Sequence, residues 1–217
     1  MPGPMRLIQI ILRPIFYLLY HQFAWAYDLV AAIVSLGRWQ EWVHTALPYI
    51  SGRVLEIGFG PGHLQTSLNE KIIPTFGLDE SPQMGRQAAR RIKKAGAIAR
   101  LTRGYAQSIP FAGEAFDSVV ATFPAEYIYD QQTLKEIRRV LLPGGQLVII
   151  PTAWITGGHL LERLAAWVFR LSGEAPGKPH PLSVVLKTRF VHTGFEVHNE
   201  IVEKRGSQVL VILAKKT

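Results

Sequence analysis

The chain has 217 residues, 48% of them hydrophobic, which is enough for one domain with a sizeable core and argues against wholesale disorder. It contains no cysteine, which excludes disulfides, thiolate catalysis and Cys-based zinc sites and fits a cytoplasmic setting. Lys and Arg number 24 against 16 Asp and Glu, a formal charge of +8 that favours polyanionic surfaces such as nucleic acid or acidic lipid.

The first apolar stretch, Met5 to Tyr20, is divided by Arg13-Pro14 and falls short of the ~20 residues a spanning helix needs. Arg13 also argues against a signal peptide, although Ala24-Trp25-Ala26 imitates a cleavage site. Two readings stay open for this segment. One is a helix that packs on the domain or lids its pocket. The other is a helix lying peripherally on an anionic membrane, at its inner face. Residues 1–48 are therefore expected to form an amino-terminal helical cap, and 49–217 the main domain.

From residue 50 the pattern alternates. Strands are expected over Arg53–Ile57, Ile72–Leu78, Ile98–Arg103, Phe116–Thr122 and Gln146–Pro151, separated by helical stretches. Gly62–Glu70 is the first of those helices. Ser81 reads as an N-cap with Pro82 at the first helical position, opening a helix to about Ala95. Its basic run, from Arg86 to Arg103 with no acid between Glu80 and Glu114, reads as a solvated helix face. Asp130 caps the next helix, where Leu134, Ile137, Val140 and Leu141 share a face, and Leu142-Pro143-Gly144-Gly145 ends it in a turn.

A helical insertion is expected at about 154–190. In it His159–Leu171 carries a broad apolar face flanked by Arg163 and Arg170. The tail, Phe195–Val202 and Gln208–Ala214 around a short polar connection, reads as a hairpin. The fold class is thus α/β: a Rossmann-like, doubly wound, mostly parallel sheet of seven strands that ends in an antiparallel hairpin, with extra amino-terminal helices.

Val54-Leu55-Glu56-Ile57-Gly58-Phe59-Gly60-Pro61-Gly62-His63 is a buried strand breaking into a glycine turn, where a missing Cβ lets a nucleotide-like ligand approach the backbone. His63 stands where a dinucleotide fingerprint needs its third glycine, and no Lys-Ser/Thr pair makes a phosphate loop. Asp79, about 20 residues further on, suits the two ribose hydroxyls of a nucleoside. It could also serve as a capping acid beside Ser81.

Glu56-x-Gly58-x-Gly60-x-Gly62, Gly77-Leu78-Asp79-Glu80-Ser81, Gly104-Tyr105-Ala106-Gln107-Ser108-Ile109-Pro110-Phe111 and the stretch Leu134 to Gly145 together resemble the class I S-adenosylmethionine-dependent methyltransferases, of the type 11 group. The resemblance implies S-adenosyl-L-methionine as cofactor and methyl transfer as activity. It places Glu56, Gly58, Gly60, Gly62, Glu80 and Thr122 around the cofactor, Asp79 at the ribose, and Met84, Ala106 and Gln107 at the adenine. Tyr105 stands where the family commonly carries aspartate. The segment Tyr20 to Trp39 is similar to the entry of the quinone-biosynthesis C-methyltransferases, which implies that Tyr27 covers the methionine end of the cofactor. Tyr27 and Met84 could equally be core residues.

No catalytic base stands out, and no histidine pairing suggests a metal. Glu126, Tyr127, His159 and His180 are acid–base candidates by chemistry alone. Thr122-Phe123-Pro124-Ala125 lacks the Asn/Asp-Pro-Pro-Tyr of amine methylation, which counts against DNA as substrate. The acceptor is expected to be a small apolar molecule, quinone-like or lipid-like. A non-catalytic cofactor-binding regulator and an RNA methyltransferase are the alternatives, the latter supported only by charge.

Overall fold

A computed structural model of the chain describes residue 32 and residues 35–156 and 189–217. Its strands are β1 (Val54–Ile57), β2 (Thr75–Asp79), β3 (Leu101–Arg103), β4 (Phe116–Thr122), β5 (Leu141–Ile155), β6 (Phe195–Lys204) and β7 (Ser207–Lys216). They form one sheet in the order β3-β2-β1-β4-β5-β7-β6. Strands β1 to β5 are parallel, and β7 runs antiparallel to both β5 and β6. The expected doubly wound sheet with a closing hairpin is what forms. Because the chain moves outward from β1 to β3 and then returns to β4, the strand order reverses between β1 and β4. The crevice at the carboxyl ends of those two strands is where open α/β sheets bind ligands.

Helices α1 (Trp39–Val43), α2 (His63–Glu70), α3 (Pro82–Lys94) and α4 (Gln131–Val140) cover the sheet, with 3-10 turns at His44–Tyr49 and Glu126–Tyr129. Burial on both faces explains why the central strands are apolar without alternation. In β4, Val119 packs with Leu134, Ile137 and Val140 of α4, while Val120 packs with Trp42, Leu64 and Leu68 on the opposite side. Trp42 is fully buried, and its indole N–H donates to Ser207 Oγ at 2.9 Å. Residues 39–50 therefore share one core with the sheet.

Both expected helix caps are formed. Ser81 Oγ accepts from the Met84 N–H, and Asp130 Oδ1 accepts from the Gln132 and Thr133 N–H groups. The basic run is only partly a solvated face. Arg91 donates to the Pro61 carbonyl, Arg103 to the Glu80 carbonyl, and Arg100 lies over the Phe76 ring.

Three strand boundaries depart from expectation. β2 begins at Thr75 rather than Ile72, because Ile72 and Ile73 close α2: their N–H groups donate to the carbonyls of Asn69 and Leu68. This is a Schellman end, and it puts the β-branched Ile72 in the left-handed region at φ 58. α3 ends in the same way through Gly96 and Ala97, so β3 begins at Leu101 rather than Ile98. β5 runs from Leu141 to Ile155. Leu142-Pro143-Gly144-Gly145 is a bulge inside it, since Phe116 pairs with Leu141 and Ser118 with Gln146. Trp154 thus belongs to β5, with its indole on Gln208 Oε1, and the apolar face 159–171 lies outside the described residues.

Ile72 is 89% exposed, so its side chain contributes little packing to offset a left-handed backbone. Ile72→Gly should stabilise the fold by up to about 1 kcal/mol, the left-handed cost of ~1–2 kcal/mol less the added chain entropy of glycine. Urea unfolding of the two proteins checks this.

Candidate cofactor site

The turn after β1 is built from three glycines in left-handed conformations, Gly58 at φ 70, Gly60 at φ 51 and Gly62 at φ 83. Each answers a different constraint. A Cβ on Gly58 would collide with the Tyr127 hydroxyl, and one on Gly62 would lie 2.7 Å from the Cβ of Ala88 in α3. At Gly60 nothing lies within 4 Å of where a Cβ would stand. Gly62 lets α2 and α3 approach, whereas Gly60 leaves its backbone open to a ligand.

Asp79, at the carboxyl end of β2, is 3% exposed. Its Oδ2 accepts from the Gly60 N–H at 2.9 Å and its Oδ1 from the Ser81 N–H at 2.8 Å. The acid therefore ties the open glycine to the start of α3. A carboxylate has four lone-pair sites, so two backbone donors are compatible with further donors such as ribose hydroxyls. The open face of Gly60 beside this acid fits a nucleoside.

Glu56 lies behind the turn, at 1% exposure. Gln65 of α2 donates to its Oε2 at 2.9 Å and to the Phe76 carbonyl at 3.1 Å, while Thr75 donates to Gln65 Oε1. Burial pushes the Glu56 carboxyl up to about 8; Asp79 nearby adds to this and the Gln65 bond opposes it.

The loop after β3 carries the residues assigned to the adenine. Gly104 donates to the Asp79 carbonyl, Ala106 is buried, Gln107 is exposed, and Tyr105 is 62% exposed. A latch from α4 holds this loop, and sequence reasoning missed it. Ile109 N–H donates to Glu136, and Arg139 donates to the carbonyls of Ile109 and Phe111 at 2.8 Å while pairing with Glu136. That pairing holds the Glu136 carboxyl below the usual range. The signal was present in the Glu-Ile-Arg-Arg run, but only its partner loop shows what it does.

The remaining candidates separate. Met84 is fully buried on α3, the Glu80 side chain is exposed, and Thr122 is half-buried at the end of β4. Tyr127 is half-buried beside the turn and Glu126 is exposed. Tyr27, His159 and His180 lie outside the described residues. Among the described residues no group of three His, Cys, Asp or Glu is placed to hold a metal, and no helix is long and apolar enough to cross a membrane.

The side of the crevice toward β4 is aromatic. Phe123, directly after β4, is left-handed at φ 48, and its N–H donates to the Ile150 carbonyl. Its ring stacks on Trp39 with centroids 4.3 Å apart, and Trp42 lies 6.3 Å away at a tilt. Gln40, next to Trp39, reaches His63 at the start of α2 at 3.3 Å. The entry segment thus spans from the aromatic wall to the glycine turn.

A doubly wound sheet whose switch point holds an open glycine turn and a buried acid defines a nucleoside-cofactor-binding domain. Residues 55–149 match the model of a methyltransferase domain. A demethylmenaquinone methyltransferase of Thermotoga maritima is 30% identical over 174 residues, 75% of this chain and 74% of the relative. One of the same name from Thermus thermophilus is 32% identical over 139 residues, 61% of this chain. There the match spans 63% of the relative's own length. A solved structure from Thermotoga maritima, described as a SAM-dependent methyltransferase and possible histamine N-methyltransferase, superposes with a TM-score of 0.60. It covers 92% of this chain and 99% of that one at 19% identity, a likeness of fold. The chain belongs to the class I S-adenosylmethionine-dependent methyltransferase family, and its cofactor is S-adenosylmethionine.

Burial of Glu56 has a consequence for stability. Between the ordinary value of 4.5 and about 8 the folded chain holds a proton that the unfolded chain has lost, so its stability falls as pH rises through that window and levels off above it. Glu56→Gln removes this dependence. The unfolding free energy of the variant relative to the parent should rise from pH 5 to pH 8, by at most about 1.4 kcal/mol per pH unit, as read by urea titrations at each pH.

Proposed function

We propose that the protein transfers the methyl group of S-adenosylmethionine to a small, largely apolar acceptor of quinone-like or lipid-like character. When bound, the cofactor supplies an electrophilic methyl on a sulfonium, and the residues of the chain hold, orient and shield. The open backbone of Gly60 and the carboxylate of Asp79 are suited to the nucleoside, and the latched loop after β3 to the base.

The observation that carries the acceptor class is the Trp39–Phe123 stack at the carboxyl end of β4. A non-glycine residue in the left-handed region is costly and persists where its surroundings over-determine it, commonly at functional sites. Here it stacks the Phe123 ring on Trp39, against the apolar cluster around Trp42, beside the strand-order reversal. An apolar wall next to the reacting centre favours an apolar ring or chain and keeps water out. Relatives named for quinone biosynthesis support the same reading. Peripheral contact with an anionic membrane, from which such an acceptor would be drawn, rests on the apolar stretches 5–20 and 159–171. Cosedimentation with anionic but not neutral liposomes tests it.

Two measurements test the reading. By calorimetry the protein should bind S-adenosylmethionine and its demethylated product but not NAD, and Asp79→Ala should weaken that binding by roughly 1.5–3 kcal/mol. Unchanged affinity would displace the ribose from Asp79. With labelled cofactor and extracted quinones and lipids, mass detection should show a methylated apolar product. Phe123→Ala should then raise the acceptor KM roughly 2- to 10-fold and leave cofactor affinity unchanged, the range for one aromatic contact. Methylation confined to RNA would refute the acceptor class.

A further inference from the structure

The loop after β3 is held at both of its ends. At the first, the Gly104 N–H donates to the Asp79 carbonyl at 3.1 Å, which ties it to the strand that carries the buried acid. At the second, two side chains of α4 grip it. Glu136 Oε2 accepts from the Ile109 N–H at 2.9 Å, and Arg139 donates to the carbonyls of Ile109 and Phe111, both at 2.8 Å. One pair of side chains thus engages both backbone polar groups of Ile109. Between the two ends lies a turn, in which the Ser108 N–H donates to the Tyr105 carbonyl at 3.1 Å.

Arg139 can hold the loop because its guanidinium is a planar fork. Its Nε and Nη2 each donate to an oxygen of Glu136 at 2.8 Å, and the same plane presents Nη1 and Nη2 to the two carbonyls. The side chains of Arg139 and Glu136 are 40% and 16% exposed. An ion pair so close to solvent contributes little to global stability, so its main effect falls on the segment it holds. In that segment the buried residue is Ala106, whose side chain is a methyl group, while Tyr105, Gln107 and Ser108 are exposed. With a tyrosine rather than an acid at 105, the turn meets a base chiefly through its backbone. Backbone groups have no rotamer with which to re-aim, so their contacts depend on how firmly the chain is placed beforehand.

We propose that Arg139, oriented by Glu136, is a positioning residue for the base of S-adenosylmethionine. It holds turn 105–108 in the base-binding conformation without itself touching the cofactor. The inference rests on the cofactor assignment and on the base lying at this loop, and it gives the α4 pair a role in cofactor affinity.

The test compares two ligands that differ at the base. Parent and Arg139→Ala are titrated with S-adenosylhomocysteine and with S-ribosylhomocysteine, which lacks the adenine, weak binding being read by displacement. Arg139→Ala should weaken S-adenosylhomocysteine about tenfold and S-ribosylhomocysteine less than about twofold, as expected when a short turn must be ordered on binding. Hydrogen exchange in the variant should quicken at residues 105–111 and stay unchanged at 58–62. Glu136→Gln, which keeps an acceptor for the Ile109 N–H but weakens the fork, should give a smaller loss of the same kind, and it carries the test if Arg139→Ala does not fold. An equal loss for both ligands would make the pair a general support of the fold. No loss for either, or unchanged exchange at 105–111, would show that the base does not depend on the latch, and each of these outcomes overturns the proposal. Failure of the parent to bind S-adenosylhomocysteine would instead strike at the cofactor assignment, and equal affinity of the parent for both ligands at the placement of the base.

Discussion

The side chain of Asp79 accepts one backbone N–H from the glycine turn and one from the start of α3, at 2.9 and 2.8 Å. A buried acid without such donors would carry a large desolvation penalty, so the turn and the helix start are held where this carboxyl needs them. The constraint spreads outward from there. α3 is placed by Ser81, and α2 is brought against α3 by the absence of a side chain at Gly62. Arg91 returns from α3 to the Pro61 carbonyl and closes the turn from the other side. A second acid, Glu56, lies on the neighbouring strand, and burial raises its carboxyl to about 8. Gln65 donates to that carboxyl, and this bond opposes the rise.

The crevice divides along the sheet. Its β2–β3 side offers an acid, an open glycine backbone and a polar loop fixed by Glu136 and Arg139, all suited to a nucleoside. Its β4 side offers Phe123 and Trp39, backed by the buried Trp42 and suited to an apolar group. Tyr127 stands between them. Methyl transfer needs this partition, because the cofactor must be held by polar contacts while the reacting centre stays dry.

Much of the architecture was legible because its signals are local. Ser81-Pro82 and Asp130 marked helix starts since a cap acts within three residues of itself. The runs in β4 and β5 marked buried strands since covering both faces removes alternation. Ile72, Ile73 and Ile98 misled for the same reason. They read as strand by composition, whereas Ile72 and Ile73 close the last carbonyls of α2, at the expense of a left-handed isoleucine, and Gly96 and Ala97 close those of α3 just before Ile98. Pro143-Gly144-Gly145 read as a turn and is a bulge, a distinction that depends on the pairing partner in β4 and not on the three residues themselves.

The sequence by itself determined the sheet, its order of elements, the glycine turn and the acid at the end of β2, because hydrophobic period, capping and motif spacing each operate over a few residues. Only the tertiary structure decided what each glycine is for, that Arg139 latches a loop 30 residues away, and that Tyr127 bridges 70 residues to the end of β1. It also decided that Trp39 and Phe123 form one wall. Contacts of this kind join residues that no local pattern links. They form because the strand-order reversal brings the ends of β1 and β4 side by side.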